Sequence, residues 1–139
     1  MRAHPMNLLL LLLAALAVFF IARTLWRARP EIQPAALRAA LKAGTAVLID
    51  VREPAEWTAG VAKQAALLPL SDLQGSRTQW RAFLEKNRGR QLLVYCRSGS
   101  RSAQAAARLR HEGLDALNAG SLAALDRAGW PVCTARPGR

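Results

Sequence analysis

At 139 residues, 52% of them apolar, the chain is sized for one domain with a buried core and is too apolar for a disordered tail. Its net charge of +11 raises nucleic acid as a partner, yet the basic residues are scattered, without interleaved aromatics or a reader motif; anionic lipid headgroups and small anionic substrates suit the charge better. Two cysteines, Cys96 and Cys133, are too few for a disulfide framework and have no zinc spacing, and the pattern implies no metal or cofactor.

Residues 8–22 are fifteen side chains without a charge or polar group, preceded by Arg2 and His4 and followed by Arg23, Arg27 and Arg29. As a helix the run covers roughly 22 Å of a bilayer core about 30 Å thick, so a span must recruit its flanks. Residues 6–26 do so, with Arg23 snorkelling and Trp26 at the interface. No face of the run is polar, which points to a transmembrane helix rather than a buried one. A cleaved signal peptide is the competing reading, because Ala15, Leu16 and Ala17 have the small-x-small form of a cleavage site. The apolar run continues through Val18, Phe19, Phe20 and Ile21, which speaks against cleavage there. Three arginines follow the helix and one precedes it, so the positive-inside rule puts the rest of the chain in the cytoplasm. Residues 1–29 hold four arginines and no acid, while residues 30–139 hold 16 basic and 9 acidic groups, or +7, so the remainder is basic in its own right.

Residues 30–33 read as a linker. Pro34 opens an Ala- and Leu-rich helix, with Leu37 and Leu41 one turn apart, that stops at Gly44. Residues 46–51 are a strand too continuously apolar to be half exposed, as in a parallel sheet covered on both faces. It ends in Asp50, Val51, Arg52, Glu53 and Pro54, followed by a helical turn through Glu56 and Trp57 to Gly60. Charges at the C-terminal end of a buried strand lie where open parallel sheets put their sites. Residues 65–70, with Pro69, are a weak strand, and residues 71–73 a turn or short helix. Residues 76–87 make an amphipathic helix with Trp80, Phe83 and Leu84 on one stripe. An apolar run through Leu92, Leu93, Val94 and Tyr95 reads as a buried strand, followed by a helix over 101–112 that stops at Gly113. A short strand over 115–118 and a helix over 121–127, with Ser121 as N-cap, complete the pattern. Strands alternating with helices give an α/β fold with a mainly parallel sheet, preceded by the N-terminal transmembrane helix.

Cys96 stands where the apolar strand ends and the next helix is about to begin. Successive loop N–H groups and the positive end of a helix dipole stabilise an anion at their focus, and a thiolate is such an anion. Arg97 and Arg101 bracket the loop formed with Ser98, Gly99 and Ser100, and Gly99 permits the positive φ that turns amides inward. A purely structural cysteine has no need of two arginines and a glycine at the end of a buried strand.

These pieces together resemble a single rhodanese domain, the sulfurtransferase family, over residues 33–132. The matching residues are Leu48, Ile49, Asp50, Val51 and Arg52 with Glu53, Pro54, Ala55, Glu56, Trp57 and Gly60; then Leu68, Pro69 and Leu70; then Val94 through the loop to Ser102; and Gly129, Trp130, Pro131 and Val132. The resemblance implies a rhodanese-like open sheet flanked by helices over residues 34–133, between the anchor and its basic flank (1–29), the linker (30–33) and a basic tail (134–139). It implies that Cys96 takes the outer sulfur of a donor such as thiosulfate, carries it as a persulfide and yields it to cyanide or a thiol. In this reading the loop amides stabilise the sulfur anion and Arg97 and Arg101 hold the donor. Asp50 and Arg52 match the family's charged pair beside the loop, with Glu56 in support. For that pair, a salt bridge that only holds loop geometry competes with direct catalysis.

Loop length separates two relatives. Cysteine phosphatases place Arg six positions after Cys, whereas Arg101 is five after Cys96, a smaller ring suited to sulfur rather than to phosphate or arsenate chemistry. The chain departs from the family pattern at Val61, where His is usual, at Gln64, where Gly is usual, and at Ser121 and Leu125, where Gly and Trp are common. Cys133 could act as a resolving thiol, though packing or surface exposure explains it as well. A non-enzymatic module that docks a membrane or redox partner, with Cys96 sensing oxidation, is the reading from another class.

Overall fold

The structure, a computed structural model, describes the backbone of residues 5–135 and side chains from residue 7. Helix α1 (Pro5–Arg27) carries the apolar run; within residues 7–27 its 18-residue apolar stretch has a mean hydropathy of 2.6 and none of that stretch is buried. A core helix would be covered, so α1 is a helix long and apolar enough to cross a membrane, with its apolar side chains unpartnered by the domain.

The domain begins at α2 (Pro34–Lys42), where Pro34 occupies the first turn and needs no amide partner. Then follow β1 (Ala46–Asp50), α3 (Pro54–Trp57), β2 (Val61–Ala62), β3 (Ala66–Leu67), α4 (Leu70–Gln74) and α5 (Thr78–Lys86). After them come β4 (Gln91–Cys96), α6 (Ser100–His111), β5 (Ala116–Ser121), α7 (Leu122–Arg127) and β6 (Val132–Cys133). The main sheet has the order β3-β1-β4-β5 and every pairing in it is parallel. This is the α/β architecture that alternating strands and helices predict.

Side chains of β1 and β4 alternate between two cores, which is why residues 46–49 and 92–95 are apolar without a break. Ile49, Leu92, Val94 and Cys96 point to one face, packed with Trp80, Ala105, Ala106 and Leu109. Leu48, Leu93 and Tyr95 point to the other, with Leu37, Leu125 and Trp130. The thiol of Cys96 therefore emerges on the α6 face, at the C-terminal end of a central strand.

Several elements differ from their sequence-based expectation. Strand β3 is only two residues long; beyond it Leu68 N and Leu70 N still donate to Asp50 O and Val51 O, both at 3.1 Å, but Pro69 between them has no N–H to continue the ladder. Strands β2 and β6 form an antiparallel pair that two-residue strands could not announce through periodicity. Strand β5 extends to Ser121, with a bulge at Ala119 that sets Asn118 opposite Val94 and Gly120 opposite Tyr95. Residues 30–33, read as a linker, run along the outer edge of β5: Glu31 N donates to Asn118 O at 2.7 Å.

Candidate active site at the Cys96 loop

Cys96 is fully buried at the end of β4, and the chain turns sharply away through Arg97 and Ser98, both exposed. Gly99, at φ 89°, is the N-cap of α6, and its left-handed conformation swings its amide onto the sulfur. Gly99 N lies 3.1 Å from Cys96 Sγ, and Ser102 N and Ser102 Oγ each lie 3.4 Å from it. Helix α6, twelve residues long, presents its positive end to this point. Burial pushes the Cys96 thiol up, but the Ser102 hydroxyl and the amides of Ser102, Ser98 and Gly99 more than offset it, and the thiol titrates below its ordinary value.

Around this nest the two arginines have different surroundings. Arg101 is held by Glu56 of α3 through two bonds, Nη1 to Oε2 at 2.6 Å and Nη2 to Oε1 at 2.7 Å. The Arg101 guanidinium, aided by the Glu53 amide, holds the Glu56 carboxyl down at about 2 against its burial. Glu56 also closes the capping box of α3 on Glu53 N, so the pair ties the Cys96 loop to the end of β1. Arg97 extends to solvent and makes no hydrogen bond or ion pair among the described residues.

Asp50 and Arg52 lie on the opposite face from the thiol. Arg52 Nη2 reaches Asp50 Oδ2 at 2.7 Å and Gly60 O at 2.7 Å, and its Nη1 reaches Glu56 O at 3.2 Å. Tyr95 donates its hydroxyl to Asp50 Oδ2 at 2.7 Å and accepts from Ala62 N at 2.9 Å, and burial together with Asp50 raises its own titration steeply. A buried ion pair this fully hydrogen-bonded fixes geometry rather than adding net stability. It anchors the turn from α3 to β2, and none of its bonds reaches Cys96.

Ser102, Asn118 and Tyr95 are site residues that the sequence pattern alone does not single out. Ser102 follows the loop as the sixth residue after Cys96, so its position was visible even though its contact was not. Asn118 accepts from Ser102 Oγ at 2.7 Å and from Gly120 N at 2.9 Å, a contact that only the bulged register of β4 and β5 creates. Cys133 is exposed on the separate β2–β6 pair, and both cysteines are free thiols.

The sequence profile of the rhodanese-like domain matches residues 33–126. The chain belongs to the rhodanese-like domain family. Among relatives of this rhodanese-like domain, a sulfurtransferase of Allochromatium vinosum is 35% identical over 88 residues, a match covering 62% of this chain and 77% of that protein. An uncharacterised protein of Synechocystis is 33% identical over 103 residues, 73% of this chain; the chain spans about half of that protein's length, 54%. The crystal structure of a rhodanese-related protein from Thermoplasma volcanium superposes with a TM-score of 0.63 at 29% identity, covering 77% of this chain and all of that one.

The family departures fall on structural positions of this rhodanese-like domain. Val61 and Leu125 are buried. Ser121 caps α7, its Oγ accepting from Ala124 N at 3.1 Å. Gln64, where the family has glycine, takes the left-handed φ of 70° that glycine would adopt without strain.

Proposed function

We propose that the domain is a thiosulfate sulfurtransferase with Cys96 as its nucleophile, and that α1 holds it at the cytoplasmic face of a membrane among anionic lipid headgroups. The observation that carries the reading is the convergence of Gly99 N, Ser102 N and Ser102 Oγ on a buried sulfur at the start of α6. The Cys96 thiolate attacks the outer sulfur of thiosulfate; the S–S bond breaks and sulfite leaves with the electron pair. The product is a persulfide whose terminal sulfur stays among the same donors. Cyanide in an assay, or a thiol in the cell, attacks that terminal sulfur and returns Cys96 to the thiolate.

The other residues serve this step unequally. Arg97, with the Ser98 and Ser100 hydroxyls, receives the anionic donor at the exposed rim, while Arg101 acts mainly through Glu56 to keep the loop in shape. Asp50, Arg52 and Tyr95 support it from the opposite face. The short loop and the sulfurtransferase relative both favour sulfur over phosphate. Thiosulfate:cyanide turnover and the mass of Cys96 after thiosulfate treatment test the proposal. The expected result is a mass gain of one sulfur on Cys96 and loss of turnover in Cys96→Ser. Failure of the intact chain to form the persulfide, or hydrolysis of an aryl phosphate in its place, overturns the proposal. A Cys96–Cys133 disulfide formed on the same treatment would make Cys133 a resolving thiol that attacks Cys96 Sγ and releases the outer sulfur as hydrosulfide, whereas a persulfide on Cys133 would make it the sulfur acceptor.

A further inference from the structure

We propose that Asn118 is a positioning residue that fastens residues 27–31, the exit of the N-terminal helix, onto the back of the Cys96 loop, so that this segment is a wall of the active site. The inference rests on Cys96 being the nucleophile.

The Asn118 side chain is buried and uses both ends. Its Oδ1 accepts from Ser102 Oγ and from Gly120 N; because a backbone N–H can only donate, this fixes which end is oxygen. Its Nδ2 then faces four carbonyls: Gly99 O at 3.1 Å, Arg29 O at 3.2 Å, and Arg27 O and Ala28 O at 3.4 Å each. The carbonyls of Arg27 and Ala28 belong to the end of α1, where a helix leaves its acceptors without internal partners. One amide group thus joins the exit of α1 to the carbonyl of Gly99, the residue whose N–H lies on Cys96 Sγ.

Three further contacts hold the segment in place. Gly99 has no room for a side chain, since a Cβ there would collide with the Ala28 carbonyl oxygen. Pro30 lies against Gly120, where an added Cβ would stand 3.3 Å from the proline ring. Glu31 pairs with both backbone groups of Asn118, its N donating to Asn118 O and its Oε2 accepting from Asn118 N, each at 2.7 Å; Arg110 Nη1 completes the carboxylate at 3.0 Å. The outer edge of β5 is covered there, and the loop is clamped between α6 and the exit segment.

Glu31 offers the test, because it holds the segment without touching the loop. In the full-length chain in detergent, alkylation of Cys96 by iodoacetamide is followed against pH by peptide mass, which separates it from Cys133 and needs no sulfur transfer. The charged groups around the thiol are Arg97 and Arg101 on the loop, Glu53 and Glu56 at α3, the Asp50–Arg52 pair at the end of β1, Arg27 and Arg29 on the exit segment and Arg110 on α6; none of them is substituted in Glu31 variants, and only Arg110 loses a partner. Glu31→Ala is expected to raise the alkylation midpoint by at least about half a pH unit, roughly a three-fold loss of thiolate below the midpoint, and to lower kcat at an unchanged KM. Glu31→Gln, which keeps an acceptor for Asn118 N, is expected to stay close to the unaltered chain, and Asn118→Ala to exceed Glu31→Ala. Losing an acidic charge would by itself lower the midpoint, so a fall in Glu31→Ala overturns the proposal. An unchanged midpoint and kcat with a lowered unfolding temperature also overturns it, leaving the segment as mere cover. Normal alkylation shifts without any sulfur transfer would instead refute the proposed activity and leave the clamp standing.

Discussion

Ser102 has one hydroxyl proton and three acceptors within reach: Asn118 Oδ1 at 2.7 Å, Gly120 O at 3.3 Å and Cys96 Sγ at 3.4 Å. While Cys96 is a neutral thiol the proton belongs to Asn118, the nearest acceptor. Ionisation makes the sulfur the strongest acceptor and draws the proton to it, adding a charge-assisted bond to those from the amides. Removing the hydroxyl in Ser102→Ala leaves the Ser102 amide in place but forfeits this bond, a loss of about 1.5 kcal/mol or roughly ten-fold in sulfur transfer. Because the folded thiol titrates below its ordinary 9.0, thiolate is present above that folded midpoint and lost as pH falls through it. In Ser102→Ala the midpoint moves upward, and the pH profiles of alkylation and of kcat/KM move with it. Profiles that coincide with those of the unaltered chain would remove the hydroxyl from thiolate stabilisation. Cys96, its loop and Ser102 were visible in the sequence because they are contiguous. Asn118 and Tyr95 were not, since each acquires its partner only through the register between neighbouring strands.

At the scale of elements, continuous apolar runs made β1 and β4 legible, and with them the edge on which Cys96 stands. Strands β2 and β6 were not, because two residues carry no period, and Pro69 broke the pattern of β3. Helix α5 shows how a correct helix can hide its cap. Arg77, its N-cap, sits at φ 60° and offers no capping side chain; Asp72 of α4 reaches across to accept from the amides of Thr78 at 3.1 Å, Gln79 at 3.0 Å and Trp80 at 3.1 Å. Burial pushes the Asp72 carboxyl up, but these amides and Ser76 outweigh it and hold the carboxyl below its ordinary 3.8. A carboxylate depressed in the folded state contributes stability above its unfolded value, and that contribution is lost as pH falls through the folded one. Asp72→Ala is therefore expected to destabilise the domain by about 1–2 kcal/mol near neutral pH. The difference from the unaltered chain should shrink below about pH 4 as the cap protonates. Denaturant unfolding at the two pH values checks this. A difference that persists unchanged in acid would mean that Asp72 acts through packing rather than through the cap.

At the scale of the whole molecule, α1 and the domain meet through residues 27–31, so where the helix lies decides where the Cys96 loop works. Residues 7–27 would rise about 31 Å as an α-helix, matching a hydrocarbon core of about 30 Å without recourse to the domain. Arg23 lies within the last turn but one and can snorkel, while Trp26, 70% exposed, suits the interface. Arg27 and Arg29 follow at the point where the chain docks on Gly99 and Gly120, so in the proposed anchored arrangement positive charge and active-site loop would share one side of the membrane. The expected result is that the full-length chain resists an alkaline carbonate wash of its membranes, and that a C-terminal alkaline phosphatase fusion is inactive where a fluorescent-protein fusion glows. A shortened chain released by the wash would identify α1 as a cleaved leader, and an active phosphatase fusion would put the thiol on the opposite face. Either result would exclude the cytoplasmic anchor while leaving the chemistry of the Cys96 loop to be judged on its own assay.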